Sequence, residues 1–277
     1  MFTYATEVDA PWKKRMVRVI ERATGSGRLN RIYQDRHALL AQGLDPWSAA
    51  VRLMDLMVDE IGYPIDQVPQ EGPLVVVANH PYGLIDGMIL CHLVGKVRPN
   101  FRILINAVLE QVEEIRPWLL PIDFRETREA MATNIRSRAE AIRFLQEGGA
   151  VVIFPSGGVS TARRAGFGKA IDADWKTFTS KLIRASSATV LPVYFHGQNS
   201  RLFQFASHVS MTLRLALLTH EVKRQCGRRV QVVIGEPIPP EQLTPITCRQ
   251  ELVEHLRHVT YSLERQLPSK KHLRKPR

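Results

Sequence analysis

VVVANHPYGLIDGMIL, residues 75–90, is the stretch from which the rest of the chain is read. Leu74 to Ala78 is a continuous apolar run, long enough for a strand buried on both faces. Asn79 and His80 follow at its carboxyl end, Pro81-Tyr82-Gly83 make a tight turn, and Asp86 falls in the first turn of a helix. Open α/β sheets place their active residues at that end of their strands.

Outward from this unit, short apolar runs alternate with helical stretches. Phe101–Ile105, Val151–Phe154, Val190–Phe195 and Val230–Ile234 read as strands, the third interrupted by Pro192. Asn134–Gln146, broken by Gly148-Gly149, Trp175–Ala185 and Arg249–Gln266 read as helices. Upstream, Asp45-Pro46 is a helix start with Asp as N-cap. Trp47, Ala50, Val51, Met54, Met57, Val58 and Ile61 continue at helical spacing until Gly62 and Pro64. Pro11–Ala23 reads as an amphipathic helix with Trp12, Met16, Val19 and Ile20 on one face and basic residues on most of the rest. It can lie in a lipid interface or dock on the core. The expected fold is α/β, with a mostly parallel central sheet flanked by helices on both faces and preceded by N-terminal helices. Three segments follow: an amphipathic helical stretch over 1–44, one main domain over 45–266 and a basic tail over 267–277.

Composition narrows the functional classes. The 277 residues are 44% hydrophobic and 23% charged, a globular balance. Lys and Arg number 38 against 27 Asp and Glu, a formal charge of +11. That charge favours anionic partners such as phospholipid headgroups, nucleic acid or phosphorylated small molecules, and it also fits a simple solubilising surface. No nucleic-acid-binding motif is present, so nucleic acid is not an expected partner. Cys91, Cys226 and Cys248 are far apart and odd in number, which suggests neither a disulfide framework nor a zinc site and fits a reducing compartment. The first residues, MFTYATEVDAPWKKR, lack the apolar core of a secretory signal, and no run of about 18 apolar residues occurs. The expected location is cytoplasmic, peripheral on the inner face of a membrane.

Two segments carry chemistry. A strand–turn–helix of this length can fold back, bringing Asp86 to His80. The carboxylate then fixes the imidazole tautomer, and the imidazole can take a proton from a hydroxyl that attacks a carbonyl. The structural alternative is a His capping the helix and an Asp stabilising its N-terminus. The second segment, VVIFPSGGVS over 151–160, again runs a buried strand into a Pro/Gly turn. Exposed backbone amides there can bind a phosphate or an oxyanion. Arg163 and Arg164 follow and can hold an anionic headgroup or carrier phosphates, or stand as surface arginines. The segment lacks the Gly-Lys-Ser/Thr ending of a phosphate loop, and Ser156 and Ser160 do not fit a serine-hydrolase elbow.

Taken together, the two segments resemble the phospholipid/glycerol acyltransferase superfamily, closest to its hemolysin-like, ornithine-lipid-related branch. The family's Asn-His…Asp motif maps to Asn79, His80 and Asp86, with Gly83 in the turn between. Its Phe-Pro-x-Gly…Ser motif maps to Phe154, Pro155, Gly157 and Ser160. Val190–Val193 resembles a further motif, an apolar strand with an internal Pro, and the sequel YFHGQNSRLF resembles the hemolysin-like branch. An Arg motif is placed on Arg125 in LPIDFRE. The resemblance spans roughly 45–240. It implies acyl transfer from acyl-CoA or acyl carrier protein to the hydroxyl of a lyso-lipid or glycerolipid, with His80 as general base and Asp86 as its partner. Asn79, Gly83, Arg125, Ser156, Gly157, Gly158, Ser160, Arg163 and Arg164 are the implied substrate-binding residues. No metal or bound cofactor is implied; the expected partners are an anionic membrane surface, a lyso-lipid acceptor and, as a candidate, acyl carrier protein. Departures bear on the acceptor. Five residues separate His80 from Asp86, as in the hemolysin-like branch. Ser156, Gly158 and Val159 stand where the commoner motif has Glu, Thr and Arg. In relatives that Glu and Arg are associated with the acceptor's glycerol phosphate, so their absence speaks against lysophosphatidic acid as acceptor and makes a different lyso-lipid, including a lyso-ornithine or related aminolipid, more plausible. Competing readings are a thioesterase or lipid hydrolase using the same His–Asp pair, and a basic lipid-binding protein whose site has decayed.

Overall fold

The computed structural model describes residues 11, 15, 26–164 and 166–268. The expected helix over 11–23 and nearly all of the basic tail lie outside the described residues. α1 (Ser26–Ala41) and α2 (Pro46–Leu53) lead into β1 (Met57–Gly62), β2 (Leu74–Ala78), α3 (Leu84–Val97), β3 (Phe101–Asn106) and β4 (Leu119–Ile122). Then come α4 (Arg128–Gln146), β5 (Ala150–Ile153), a hairpin of β6 (Thr161–Arg164) and β7 (Phe167–Ile171), and α5 (Phe178–Ser186). The chain continues with β8 (Thr189–Phe195), α6 (Arg201–Val209), α7 (Met211–Gln225), β9 (Arg229–Ile234) and α8 (Arg249–Ser262).

Seven strands form one sheet in the order β1-β9-β8-β2-β5-β3-β4. Every pairing is parallel except β8 with β9, as the mostly parallel reading expected. β2 is central, with Val77 opposite Ile153 of β5 on one side and Pro192 of β8 on the other. Its unbroken apolar run has a simple cause. Alternate side chains enter opposite cores. Leu74, Val76 and Ala78 pack in the core that holds Ile85 and Ile89 of α3 and Leu218 and Val222 of α7. Val75 and Val77 pack with Leu145 of α4, Leu182 of α5 and Leu256 of α8. Each fully buried Val or Leu stabilises the fold by roughly 1.5–3 kcal/mol relative to exposure.

The structure corrects the helix expected from Trp47 to Ile61. α2 stops at Leu53, and Met57–Gly62 is an edge strand parallel to β9. Asp45 caps the start as expected, accepting the amides of Trp47 and Ser48 at 3.0 Å each. At the other end Asp55 takes the left-handed conformation, with φ 51°. The Leu56 amide reaches Val51 O and the Asp55 amide reaches Arg52 O, which together close a Schellman cap. Asp is a rare residue in that place, where Gly is usual, so the stop was hidden. The helical spacing of Met57, Val58 and Ile61 was real but was overridden by ladder bonds to a strand about 170 residues away. β8 also runs unbroken through Pro192. Pro192 O accepts the Gly235 amide, so its missing donor points toward Gly235, where the neighbouring chain leaves the ladder. α4 begins six residues earlier than expected, at Arg128, capped by Thr127; α5 begins three later, at Phe178.

Candidate active site

β2 delivers Asn79 and His80 to the carboxyl end of the sheet. Asn79 behaves there as one more rung of β2. Its Nδ2 donates to Phe195 O at 2.9 Å, and its Oδ1 accepts the Phe195 amide at 2.7 Å. His80 is held at both ends of its backbone. Its amide donates to Asp172 Oδ1 at 3.1 Å, and its carbonyl accepts the Ser160 amide at 2.8 Å. The ring stacks on Phe154, with centroids 4.0 Å apart and planes at 28°. It is 17% exposed, so one edge stays open to a reactant.

The chain then reverses at Gly83, whose φ of 78° and ψ of −119° suit only glycine. A Cβ there would stand 3.1 Å from Val159 Cγ2. The reversal starts α3 and buries Asp86 beneath the turn. Asp86 Oδ2 accepts the amides of Tyr82 at 2.7 Å and Gly83 at 3.0 Å, and lies 3.2 Å from His80 Nδ1. Burial pushes the carboxyl above its ordinary range, against the pull of His80 and those two amides. Tyr82 is fixed in turn by a 3.0 Å bond from its hydroxyl to His196 O; burial, with Asp86 beside it, pushes its phenol up to about 12. With Nδ1 turned to Asp86, Nε2 is the nitrogen left for chemistry.

The second turn packs against the first. The Gly157 amide bonds Phe154 O, and that of Ser160 bonds His80 O. The Gly158 amide has only a 3.5 Å contact with Ser156 Oγ, and the Val159 amide has no partner among the described residues. A Cβ at Gly157 or Gly158 would meet nothing within 4 Å, so the loop borders open space. Weakly bonded amides at a turn of this kind can hold an oxyanion. The serines are used internally. Ser156 Oγ donates to Gly158 O at 2.9 Å, and Ser160 Oγ donates to Asp172 Oδ1 at 2.5 Å.

His80, Asp86, Gly83 and the 156–160 turn thus come together, with Asn79 as a brace. Arg163 stands exposed on β6, and the side chain of Arg164 lies outside the described residues. Arg125 is placed elsewhere. It forks onto Asp123 beyond the end of edge strand β4, three strands from β2, a lateral offset of about 14 Å at normal strand spacing. There it lines a separate cavity of about 450 Å³ with Thr127, Met131 and Arg138. Sequence reasoning missed Asp172. Its buried carboxylate accepts the His80 amide, Ser160 Oγ and Trp175 Nε1, while its own amide donates to Tyr261 Oη. Nothing in IDADW marks it, because its partners are remote in sequence. Phe154 was in a matched motif, but its stacking on His80 was not foreseen. Among the described residues no three His, Cys, Asp or Glu side chains converge as a metal site.

An imidazole 3.2 Å from a buried carboxylate, next to a turn with weakly bonded amides, is chemistry that can turn a hydroxyl or a water on a carbonyl. Comparison with known proteins makes the class specific. A family model described as an acyltransferase matches residues 55–269, and the chain belongs to that family, within the phospholipid/glycerol acyltransferase superfamily. It is an acyltransferase. The chain is 28% identical over 233 residues to a lyso-glycine lipid O-acyltransferase of Phocaeicola vulgatus, covering 80% of this chain and 78% of that one. It is 27% identical over 229 residues to a protein of the same description from Bacteroides thetaiotaomicron, covering 80% of each. The crystal structure of the 1-acyl-sn-glycerophosphate acyltransferase PlsC from Thermotoga maritima shares the fold. The TM-score is 0.50 and the identity 18%, over 89% of this chain and 90% of that one.

Proposed function

We propose that this acyltransferase moves a fatty acyl group from acyl-CoA or acyl carrier protein to the hydroxyl of a lyso-lipid, with His80 as general base and Asp86 as its orienting partner. The observation that carries the reading is the 3.2 Å approach of His80 Nδ1 to the fully buried Asp86 carboxylate. His80 Nε2 accepts the acceptor's hydroxyl proton as that oxygen attacks the thioester carbonyl. The Gly158 and Val159 amides hold the oxyanion of the tetrahedral intermediate. Collapse breaks the carbon–sulfur bond, and the departing thiolate takes the proton from His80, leaving an ester and a free thiol. Asn79 and Ser160 position His80, while Gly83, Ser156 and Gly157 shape the two turns. Arg163 and Arg164 supply charge for an anionic headgroup or the donor's phosphates, and Arg125 serves the separate cavity.

The described function of the two curated relatives favours a lyso-lipid with an amino-acid headgroup. Ser156, Gly158 and Val159, where the commoner motif has Glu, Thr and Arg, agree with that choice. The acceptor is then drawn from an anionic membrane surface, with the enzyme peripheral on the cytoplasmic face. Among the described residues no helix is long and apolar enough to cross a membrane. The test incubates purified protein with a long-chain acyl thioester, with and without lyso-glycine lipid, and follows thiol release and lipid mass. Acceptor-dependent release with an acylated lipid product supports transfer. Equal release without acceptor, yielding free fatty acid, would make the protein a thioesterase.

A further inference from the structure

α6 presents apolar side chains outward as well as inward. Its inner side is anchored by polar bonds: Gln204 Oε1 accepts the Ala162 amide at 2.8 Å, and His208 Nε2 donates to Ala162 O at 2.6 Å. Phe203, Gln204 and Ala206 are buried. Its outer side presents Leu202, Phe205 and Val209, spaced along one helical face and 56%, 53% and 59% exposed. Phe167, at the tip of the β6–β7 hairpin, is 65% exposed and extends the same patch. The two elements are in contact there. A Cβ at Gly166 would stand 3.2 Å from Phe205 N, and the Arg201 guanidinium lies 5.8 Å over the Phe167 ring. These four residues are half of the eight large apolar side chains exposed among the described residues.

Charge says what covers the patch. Residues 161–171 and 197–220 hold Arg163, Arg164, Lys169, Arg201 and Arg214 and not one Asp or Glu. Lys169 pairs with Glu264, and Arg214 turns inward to Val159 O and Thr161 Oγ1, but Arg163 is exposed on β6 and Arg201 is exposed against the Phe167 ring. An apolar surface rimmed by cations suits the boundary between anionic headgroups and acyl chains. Position agrees. β6 starts one residue after Ser160, whose amide holds the His80 carbonyl, so Phe167, seven residues on, lies within about 25 Å of Ser160 at normal strand rise.

We propose that α6 and the β6–β7 tip form an interfacial docking surface. Phe167, Leu202, Phe205 and Val209 enter an anionic bilayer while Arg163 and Arg201 meet its headgroups. The proposal rests on the lyso-lipid reading above only for its purpose, which is to bring the His80 site to a bilayer-borne acceptor. The experiment sediments the full chain with vesicles of phosphatidylcholine alone or mixed with phosphatidylglycerol. It compares the parent with a Phe167→Ser/Phe205→Ser double variant. Both side chains are solvent-exposed, so the melting temperature and turnover of a short-chain, water-soluble acceptor and thioester should hold. Partition onto phosphatidylglycerol vesicles should fall at least about tenfold, since two large apolar side chains no longer insert. Unchanged partition of a normally folded double variant overturns the proposal. So does failure of the parent to prefer phosphatidylglycerol vesicles. A parent dimer that the double substitution dissociates without altering partition assigns the face to a second copy, which also overturns it. Partition is read without turnover. An inactive protein that docks through this patch would therefore defeat the function proposed above and leave the surface standing.

Discussion

Asp86 is the residue on which chemistry and stability pull in opposite directions. Its carboxyl is fully buried, and burial raises its pKa. A carboxyl whose folded pKa lies above the unfolded value of about 3.9 binds its proton more tightly in the folded state. Its contribution to stability is therefore most favourable below the unfolded pKa and declines as pH rises through the folded one. Asp86→Asn removes that decline. The variant should gain melting temperature relative to the parent on going from pH 4 to pH 7, while its turnover falls because the His80 tautomer is no longer fixed. A parent–variant difference in melting temperature that stays flat with pH would count against the buried-carboxylate account. His80→Ala tests the base itself. Turnover should fall by about two to four orders of magnitude, the usual contribution of a positioned acid–base group. The fold should persist, because the ring lies beyond the carboxyl end of β2, outside the two apolar cores, and keeps part of its surface exposed. Near-normal turnover in a folded His80→Ala protein excludes this role.

At the scale of elements, the site is two strand-end turns clasped together. β2 and β5 run side by side, so the turns that follow them are neighbours. The clasp has three parts: Ser160 N–H to His80 O, Asp172 to both His80 N–H and Ser160 Oγ, and Gly83 against Val159. Gly83→Ala strikes the last. A non-glycine residue at φ 78° is strained by about 1–3 kcal/mol, and its Cβ would press Val159 at 3.1 Å. The melting temperature should drop by several degrees. Turnover should fall as well, since the Gly83 amide helps hold Asp86. A Gly83→Ala protein as stable and active as the parent would show that the turn relaxes freely. The His–Asp pair, the Gly turn and the second Pro/Gly turn were all legible in the sequence, because each is local. Asp172 was not. It reaches His80 across 92 residues of sequence and acts through a backbone amide, which any residue type would offer.

For the whole molecule, charge is the property that composition states most directly. With +11 overall, attraction to anionic vesicles should weaken as salt is raised. Exposed charges are screened beyond about 8–10 Å at ordinary ionic strength and beyond about 3 Å at 1 M. Binding to phosphatidylglycerol vesicles should therefore drop steeply between low and roughly 0.5 M salt, and binding to neutral vesicles should change little. Identical binding to both vesicle types at every salt level would remove electrostatics from the account.

By itself the sequence determined the class of fold, the central strand, the His80–Asp86 pairing and the acyltransferase resemblance. All of these follow from short-range pattern: apolar runs, turn residues, and spacing within one strand–turn–helix unit. Only the tertiary structure decided that Met57–Gly62 is a strand. The reason is that a ladder partner at Arg229–Ile234 supplies hydrogen bonds that helical periodicity cannot anticipate. Only the tertiary structure gave Asn79 and Ser160 bracing positions rather than open ones, because their partners, Phe195 and Asp172, arrive from later in the chain. It also separated Arg125 from the His80 turn. Strand order in a sheet is a long-range property, and β4 was added at the far edge, beyond β5 and β3.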